Sequence, residues 1–101
     1  VVFVTTGSGE EAESISRALV DERLAACVNV LPGVTSVYRW QGRVERAAET
    51  LLIIKTEQRR LDAVIDRVRA LHSYTVPEIV ALRIDGGSES YLRWLDGEVA
   101  R

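Results

Sequence analysis

The 101 residues contain no methionine, one cysteine, one histidine, one phenylalanine and two prolines. Each shortage excludes something. A single cysteine cannot close an intrachain disulfide, which favours a reducing compartment. One histidine and one cysteine rule out the His-Glu-x-x-His and Cys-x-x-Cys patterns of dedicated metal sites. Lysine and arginine number 13 against 15 aspartates and glutamates, a net charge of −2, so no basic excess marks a nucleic-acid surface. The longest apolar runs, around Leu51–Ile54 and Ile79–Leu82, are far too short to span a bilayer. The opening VVFV passes directly into TTGSGEE, with no basic n-region and no small-residue cleavage site, so it reads as a strand rather than a signal peptide. The expectation is a cytoplasmic domain with neither nucleic acid nor membrane as partner.

What is present is the composition of a folded protein, 47% hydrophobic and 28% charged, without repeats or low-complexity tracts. Such a length predicts one domain, residues 1–101. Val1–Thr6 is β-branched and apolar and predicts a strand ending at Gly7. Ser8 and Glu11 have capping-box spacing, and Ala12, Ile15 and Leu19 recur at helical intervals, so a helix is expected over about residues 9 to 22. AACVNVLPGVTSVYRW is a long extended stretch in which Pro32-Gly33 predicts a bulge or bend on an edge strand. Gln41-Gly42 fits a two-residue turn, with RVERAAETLLIIKT returning as the partner strand.

Thr56 is placed to cap a second helix, whose Leu61, Val64, Ile65, Val68 and Leu71 form the clearest periodic signal in the chain. Pro77 excludes further helix, and Ile79–Ile84 reads as the last strand. A short helix follows Gly86-Gly87, with Ser88 or Ser90 as its cap and Tyr91, Trp94 and Leu95 on one side. The order predicts an α+β fold: a ferredoxin-like βαββαβ antiparallel sheet, two helices on one face, a long protruding hairpin and a short C-terminal helix.

Two features point to self-association. A sheet with helices on one face should alternate apolar and polar residues, yet Val1–Val4, Leu51–Ile54 and Ile79–Leu82 do not. The second face needs a cover, and another copy of the chain is the simplest one. The hairpin arms also outrun the flanking strands; at ~3.3 Å per residue the excess is roughly 20 Å of isolated ribbon, marginal in water unless it rests on a neighbour. Tyr38, Arg39 and Trp40 lie near its tip.

Among candidate ligands, Cys27, His72 and Glu78 have the chemistry to hold a soft or borderline divalent metal such as copper or zinc. The bland reading of Cys27, beside Ala25 and Ala26, is a small buried hydrophobe. Strand direction places Cys27 and His72 at opposite ends of the sheet, so they could share an ion only across a subunit boundary. The His72 end also collects Thr5, Thr6, Ser8, Tyr74, Thr75 and Glu78. There an anion-binding crevice at the start of the first helix competes with plain helix capping. One histidine without a plausible serine or cysteine partner at its own end, where Ser8 serves its own helix, supplies no nucleophile–base pair, so no enzymatic activity is expected.

RLAACVNVLPGVTSVYRWQGRVE, ETLLIIKT, LHSYTVPEIVAL and YLRWL together resemble the CutA divalent-cation tolerance family, almost end to end. The resemblance implies a ferredoxin-like homotrimer, similar in architecture to the PII signalling proteins and linked to tolerance of copper and other divalent cations. It matches the family's cysteine to Cys27, its histidine to His72, its Pro-Glu pair to Pro77-Glu78 and its aromatic hairpin to Tyr38 and Trp40. Where the family often reads His-Pro-Tyr-Glu, this chain has His72-Ser73-Tyr74-Thr75, one carboxylate fewer. Where many members have Trp and Lys near the hairpin tip, it has Arg39 and Gln41. Gly7-Ser8 stands where some relatives carry a further cysteine. A PII-like trimer binding a small ligand in clefts between subunits is the alternative function.

Overall fold

Strand β1 (Val2–Thr6) turns Val2, Val4 and Thr6 to one side, and all three are buried. The computed structural model, which describes residues 1–101, places β1 inside a four-stranded sheet of order β2-β3-β1-β4. Its neighbours are β2 (Cys27–Trp40), β3 (Arg43–Lys55) and β4 (Ile79–Ala81), and every pairing is antiparallel. Helices α1 (Gly9–Asp21), α2 (Leu61–Leu71) and α3 (Glu89–Glu98) complete the chain. This is the expected βαββαβ order with its additional helix.

Ser8 caps α1 as its spacing predicts: its backbone is extended and its hydroxyl accepts the Glu11 N–H at 3.2 Å. Ala12, Ile15, Ser16 and Leu19 form the buried stripe of the helix. The apolar members of that stripe meet Val2, Val4, Leu52, Ile54, Val64 and Val68 in a single core between the sheet and the helices. The helix ends at Arg23, which takes a left-handed φ of 58° where glycine is usual. Its guanidinium donates to the Gly97 and Glu98 carbonyls at 2.9 and 3.1 Å, and its own carbonyl accepts the Ala100 N–H at 2.8 Å. One strained residue therefore closes α1 and ties down the end of α3. A smaller cluster of Ala26, Leu95 and Val99 lies under α3.

The hairpin agrees with its sequence signals. Register slips between Leu31 and Val34, where Pro32-Gly33 forms the bulge, and Gly33 has φ 81°. At the tip Gln41 and Gly42 have φ 50° and 79°, the two positive values that a primed two-residue turn requires. The arm gives the molecule extents of 44 × 25 × 21 Å.

Three expectations need correction. Thr56 does not cap the second helix, which is entered through a 3-10 turn at Gln58–Arg60 with no side-chain cap. Its hydroxyl donates instead to the Leu24 carbonyl at 2.6 Å, in a buried setting where an unpaired acceptor would be costly. Strand β4 covers Ile79–Ala81 rather than reaching Ile84: it pairs with β1 from Val4–Ile79 to Val2–Ala81, and Leu82 and Val1 exchange a further pair of bonds at 2.8 and 2.9 Å. Ser88 occupies the N-cap position of α3, but its side chain makes no capping bond.

One sheet face is covered and the other is bare. Phe3, Ile53 and Val80 are in register across it, beside Leu31 and Leu51, and Leu31 and Val80 are 40% and 49% exposed. Ile54 is fully buried on the covered side. Ile54→Ala should cost about 2–5 kcal/mol through lost burial and the cavity left behind. Arg17→Ala, removing an exposed i,i+4 ion pair, should stay within about 0.5 kcal/mol. Urea unfolding at one fixed protein concentration would measure both.

Candidate functional site

Helix α2 stops where His72 turns extended, φ −80° and ψ 140°. The imidazole swings beneath β1 and its side chain is wholly buried. Nε2 lies 2.7 Å from the Thr5 carbonyl, which can only accept, so Nε2 carries the proton. Nδ1 then has a free lone pair, and the Tyr74 N–H donates to it at 3.1 Å. Glu11 approaches from α1: its Oε1 accepts the Ser73 N–H at 3.2 Å and stands 3.2 Å from Nδ1. The capping box is thus half formed, because the Glu11 carboxylate serves this loop rather than the Ser8 amide.

Tyr74 stands beside this ring, its centroid 4.7 Å from that of His72. Its hydroxyl donates to Glu49 Oε2 at 2.9 Å. Burial first, and then the Glu49 carboxylate, push its pKa up to about 12. Gly7 makes room for the phenol, since a Cβ there would sit 3.0 Å from the Tyr74 hydroxyl oxygen. The loop of residues 73–78 and the arm residues Ser36, Val37, Tyr38 and Trp40 border a half-open cavity of about 770 Å³. Glu49, Glu78, Tyr38, Trp40 and Tyr74 are among its walls.

Cys27 lies at the other end of the sheet. It pairs with Lys55, one step beyond the Val2–Ile54 pair, whereas His72 bonds the backbone of Thr5. The thiol is half-buried and faces Tyr91 of α3, whose pKa is raised by burial first and by Cys27 second. Nowhere in the chain do three histidine, cysteine, aspartate or glutamate side chains converge as a metal cluster. The structure therefore unites Glu78 with Tyr74 around one cavity, sets His72 beneath it, and leaves Cys27 apart. A metal needs a ring lone pair, and the one on His72 Nδ1 is already used by Tyr74. No helix is long and apolar enough to cross a membrane.

Sequence reasoning did not single out Glu49 or the second role of Glu11. For Glu49 a signal existed: ETLLIIK begins with a carboxylate directly ahead of the central strand's apolar run. For Glu11 none did, because the amide it binds is 62 positions away.

Sheet order, bulged hairpin and terminal helix define a small ferredoxin-like α+β protein. The chain matches the family described as the CutA1 divalent ion tolerance protein over residues 1–98. It is 56% identical over 95 residues to the divalent-cation tolerance protein CutA of Thermus thermophilus, covering 94% of this chain and 92% of that one. A solved structure of the divalent cation tolerance protein from Thermus thermophilus superposes with a TM-score of 0.97 at 53% identity, covering 99% and 97% of the two chains. The structure of a periplasmic divalent cation tolerance protein CutA from Archaeoglobus fulgidus gives 0.95 at 41%, covering 98% and 96%. A chloroplastic Arabidopsis thaliana CutA is 50% identical over 95 residues, 94% of this chain but 52% of that longer protein. This chain belongs to the CutA divalent-cation tolerance family.

The raised tyrosine pKa fixes a pH response. Tyr74 is neutral when protonated and holds its proton more tightly folded than unfolded. Its contribution to stability is present below pH 10 and is lost as pH rises from 10.0 through about 12. Near-ultraviolet tyrosinate absorbance should show two late-ionising tyrosines, Tyr74 and Tyr91, with one of them lost in Tyr74→Phe and the Tyr74 titration shifted back down in Glu49→Gln. His72→Ala should be the more damaging change, stranding the buried Thr5 carbonyl at about 1–3 kcal/mol and freeing the part-buried Tyr74 amide, with denaturant unfolding as the measurement.

Proposed function

We propose that this chain binds divalent metal as cargo, copper foremost, and works as a cytoplasmic homotrimer in divalent-cation tolerance. Family membership is the observation that carries the reading. Ligand chemistry supports it: the half-buried Cys27 thiol is the donor that copper prefers, and Glu78 offers a carboxylate with no ion-pair partner. These donors lie at different ends of one chain, so an ion held by more than one of them needs a second subunit. His72 joins such a set only if Tyr74 releases Nδ1. The same engagement leaves His72 without a free base, which supports a binding role over a catalytic one.

The bare apolar face supports self-association. Phe3, Leu31, Leu51, Ile53 and Val80 present it, and Val37 and Val44 on the arm are 67% and 65% exposed. Three copies is the number the family resemblance implies. The lone cysteine supports a reducing compartment, whereas the Archaeoglobus relative is described as periplasmic. Cell fractionation decides between these.

A second reading, a PII-like trimer that binds a small ligand in clefts between subunits, is favoured by one observation. The cavity of about 770 Å³ walled by the arm and the 73–78 loop has small-molecule dimensions.

Titration calorimetry with copper separates the two. Under the metal reading, wild type binds, and Cys27→Ser weakens binding by about tenfold or more, the scale of one strong donor. Absence of binding by wild type sinks that reading, and unchanged binding by Cys27→Ser, His72→Ala and Glu78→Gln sinks the ligand set. Light scattering should give a trimer at micromolar concentration, and Val80→Asp on the bare face should dissociate it. A wild-type monomer would refute the assembly.

A further inference from the structure

Every hydrogen bond between α3 and the rest of the chain runs through two arginines. Arg23, at the exit of α1, donates to the Gly97 and Glu98 carbonyls at 2.9 and 3.1 Å, and its own carbonyl accepts the Ala100 N–H at 2.8 Å. Arg59, in the 3-10 turn ahead of α2, donates to the Ala100 and Val99 carbonyls at 2.5 and 3.1 Å. Carbonyls at a helix end lack partners within the helix, and cations suit that negative end.

Apolar packing beneath α3 is small by comparison. Leu95 and Val99 close over Ala26 in a three-residue cluster, separate from the core of 11 buried residues. Gly86 and Gly87 stand just ahead of the helix, and a Cβ at Gly86 would meet nothing within 4 Å. A helix with a small core of its own, a glycine pair at one end and side-chain bonds at the other can open as a unit while the sheet stays folded. What it covers is Cys27, whose half-buried thiol faces Tyr91 in the first turn of α3.

We propose that α3 is a latched lid: Arg23 and Arg59 hold its C-terminal end shut, Gly86-Gly87 is the hinge, and opening uncovers the Cys27 thiol. Its purpose rests on the metal reading above, in which Cys27 is the soft donor; the lid then sets how readily an ion reaches that donor. Arg23 shows the latch most plainly. It holds a left-handed φ of 58°, where glycine would be unstrained, and glycine would lose both guanidinium bonds to α3. The residue type there suits α3 better than it suits α1.

The test follows amide exchange by mass spectrometry and N-ethylmaleimide labelling of Cys27, both on the assembled protein. In wild type, α3 peptides should exchange before those of β1 and β3, and labelling should track the opening of α3. Arg59→Ala and Arg23→Gly should each speed both processes by about tenfold, the scale of charge-assisted bonds lost from the closed state. Exchange in β1 should not change. Arg23→Gly also relieves strain, so α1 peptides should exchange no faster in it than in wild type. Tyr91→Phe, which keeps the ring over the thiol, should alter neither process. Circular dichroism and light scattering check that fold and assembly persist. Exchange of α3 only in step with β1 overturns the lid, since the helix then opens only when the whole chain does. Faster exchange without faster labelling overturns the cover on Cys27, as does a wild-type thiol that reacts as fast as in urea-unfolded chain. Labelling that accelerates as much in Tyr91→Phe as in Arg59→Ala overturns it too. If copper fails to bind wild type while labelling follows α3, the metal reading falls and the lid stands.

Discussion

The covered face of the sheet is the constraint from which the rest of the molecule follows. Val2, Val4, Leu52 and Ile54 alternate with Phe3, Ile53 and Leu51, and α1 and α2 bury only the first set. Neither main helix can cross to the other side, because each is the connection between strands on the face it already packs against. The apolar residues of the second set are therefore left to solvent or to another chain. The arm, which has no helix above it at all, continues that unpartnered surface outward.

At the upper edge of this sheet, polar bonding replaces packing. The His72 ring bridges a strand carbonyl and a loop amide, Glu11 reaches over from the first helix, and Tyr74 carries the arrangement across to Glu49 on β3. The chain so linked runs from α1 through the end of α2 to the third strand. Buried histidine here acts as a structural keystone whose two nitrogens have opposite hydrogen-bonding roles. At the lower edge Cys27 has different company, the ammonium-bearing end of β3 and a second tyrosine.

Much of this was legible in the sequence wherever the signal was local. Ser8 lies three residues from the amide it caps, Pro32-Gly33 marks its own bulge, and Gln41-Gly42 makes its own turn. Chain direction alone separated Cys27 from His72. What stayed hidden depended on partners distant in sequence. Thr56 resembles a helix cap until the Leu24 carbonyl, 32 residues away, takes its hydroxyl. The last strand looks six residues long from composition, yet only Ile79–Ala81 pair with β1. Glu11 and Glu49 look like surface carboxylates until the loop after α2 folds between them. The cavity wall is likewise a product of tertiary placement, since Glu49 lies on β3 and Glu78 on the loop before β4.

The central position of β1 has a consequence for how the chain reaches this state. Val2 pairs with Ile54 on one side and Ala81 on the other, so the first strand of this sheet in chain order waits for its last two strands. The long β2–β3 ribbon, by contrast, joins neighbours across a two-residue turn and closes its loops at small entropic cost. Assembly thus has a natural order in time: an elongated ribbon forms early, and the amino-terminal strand then docks along it. The bare face, with Phe3 at its centre between Ile53 and Val80, is complete only once that strand has docked.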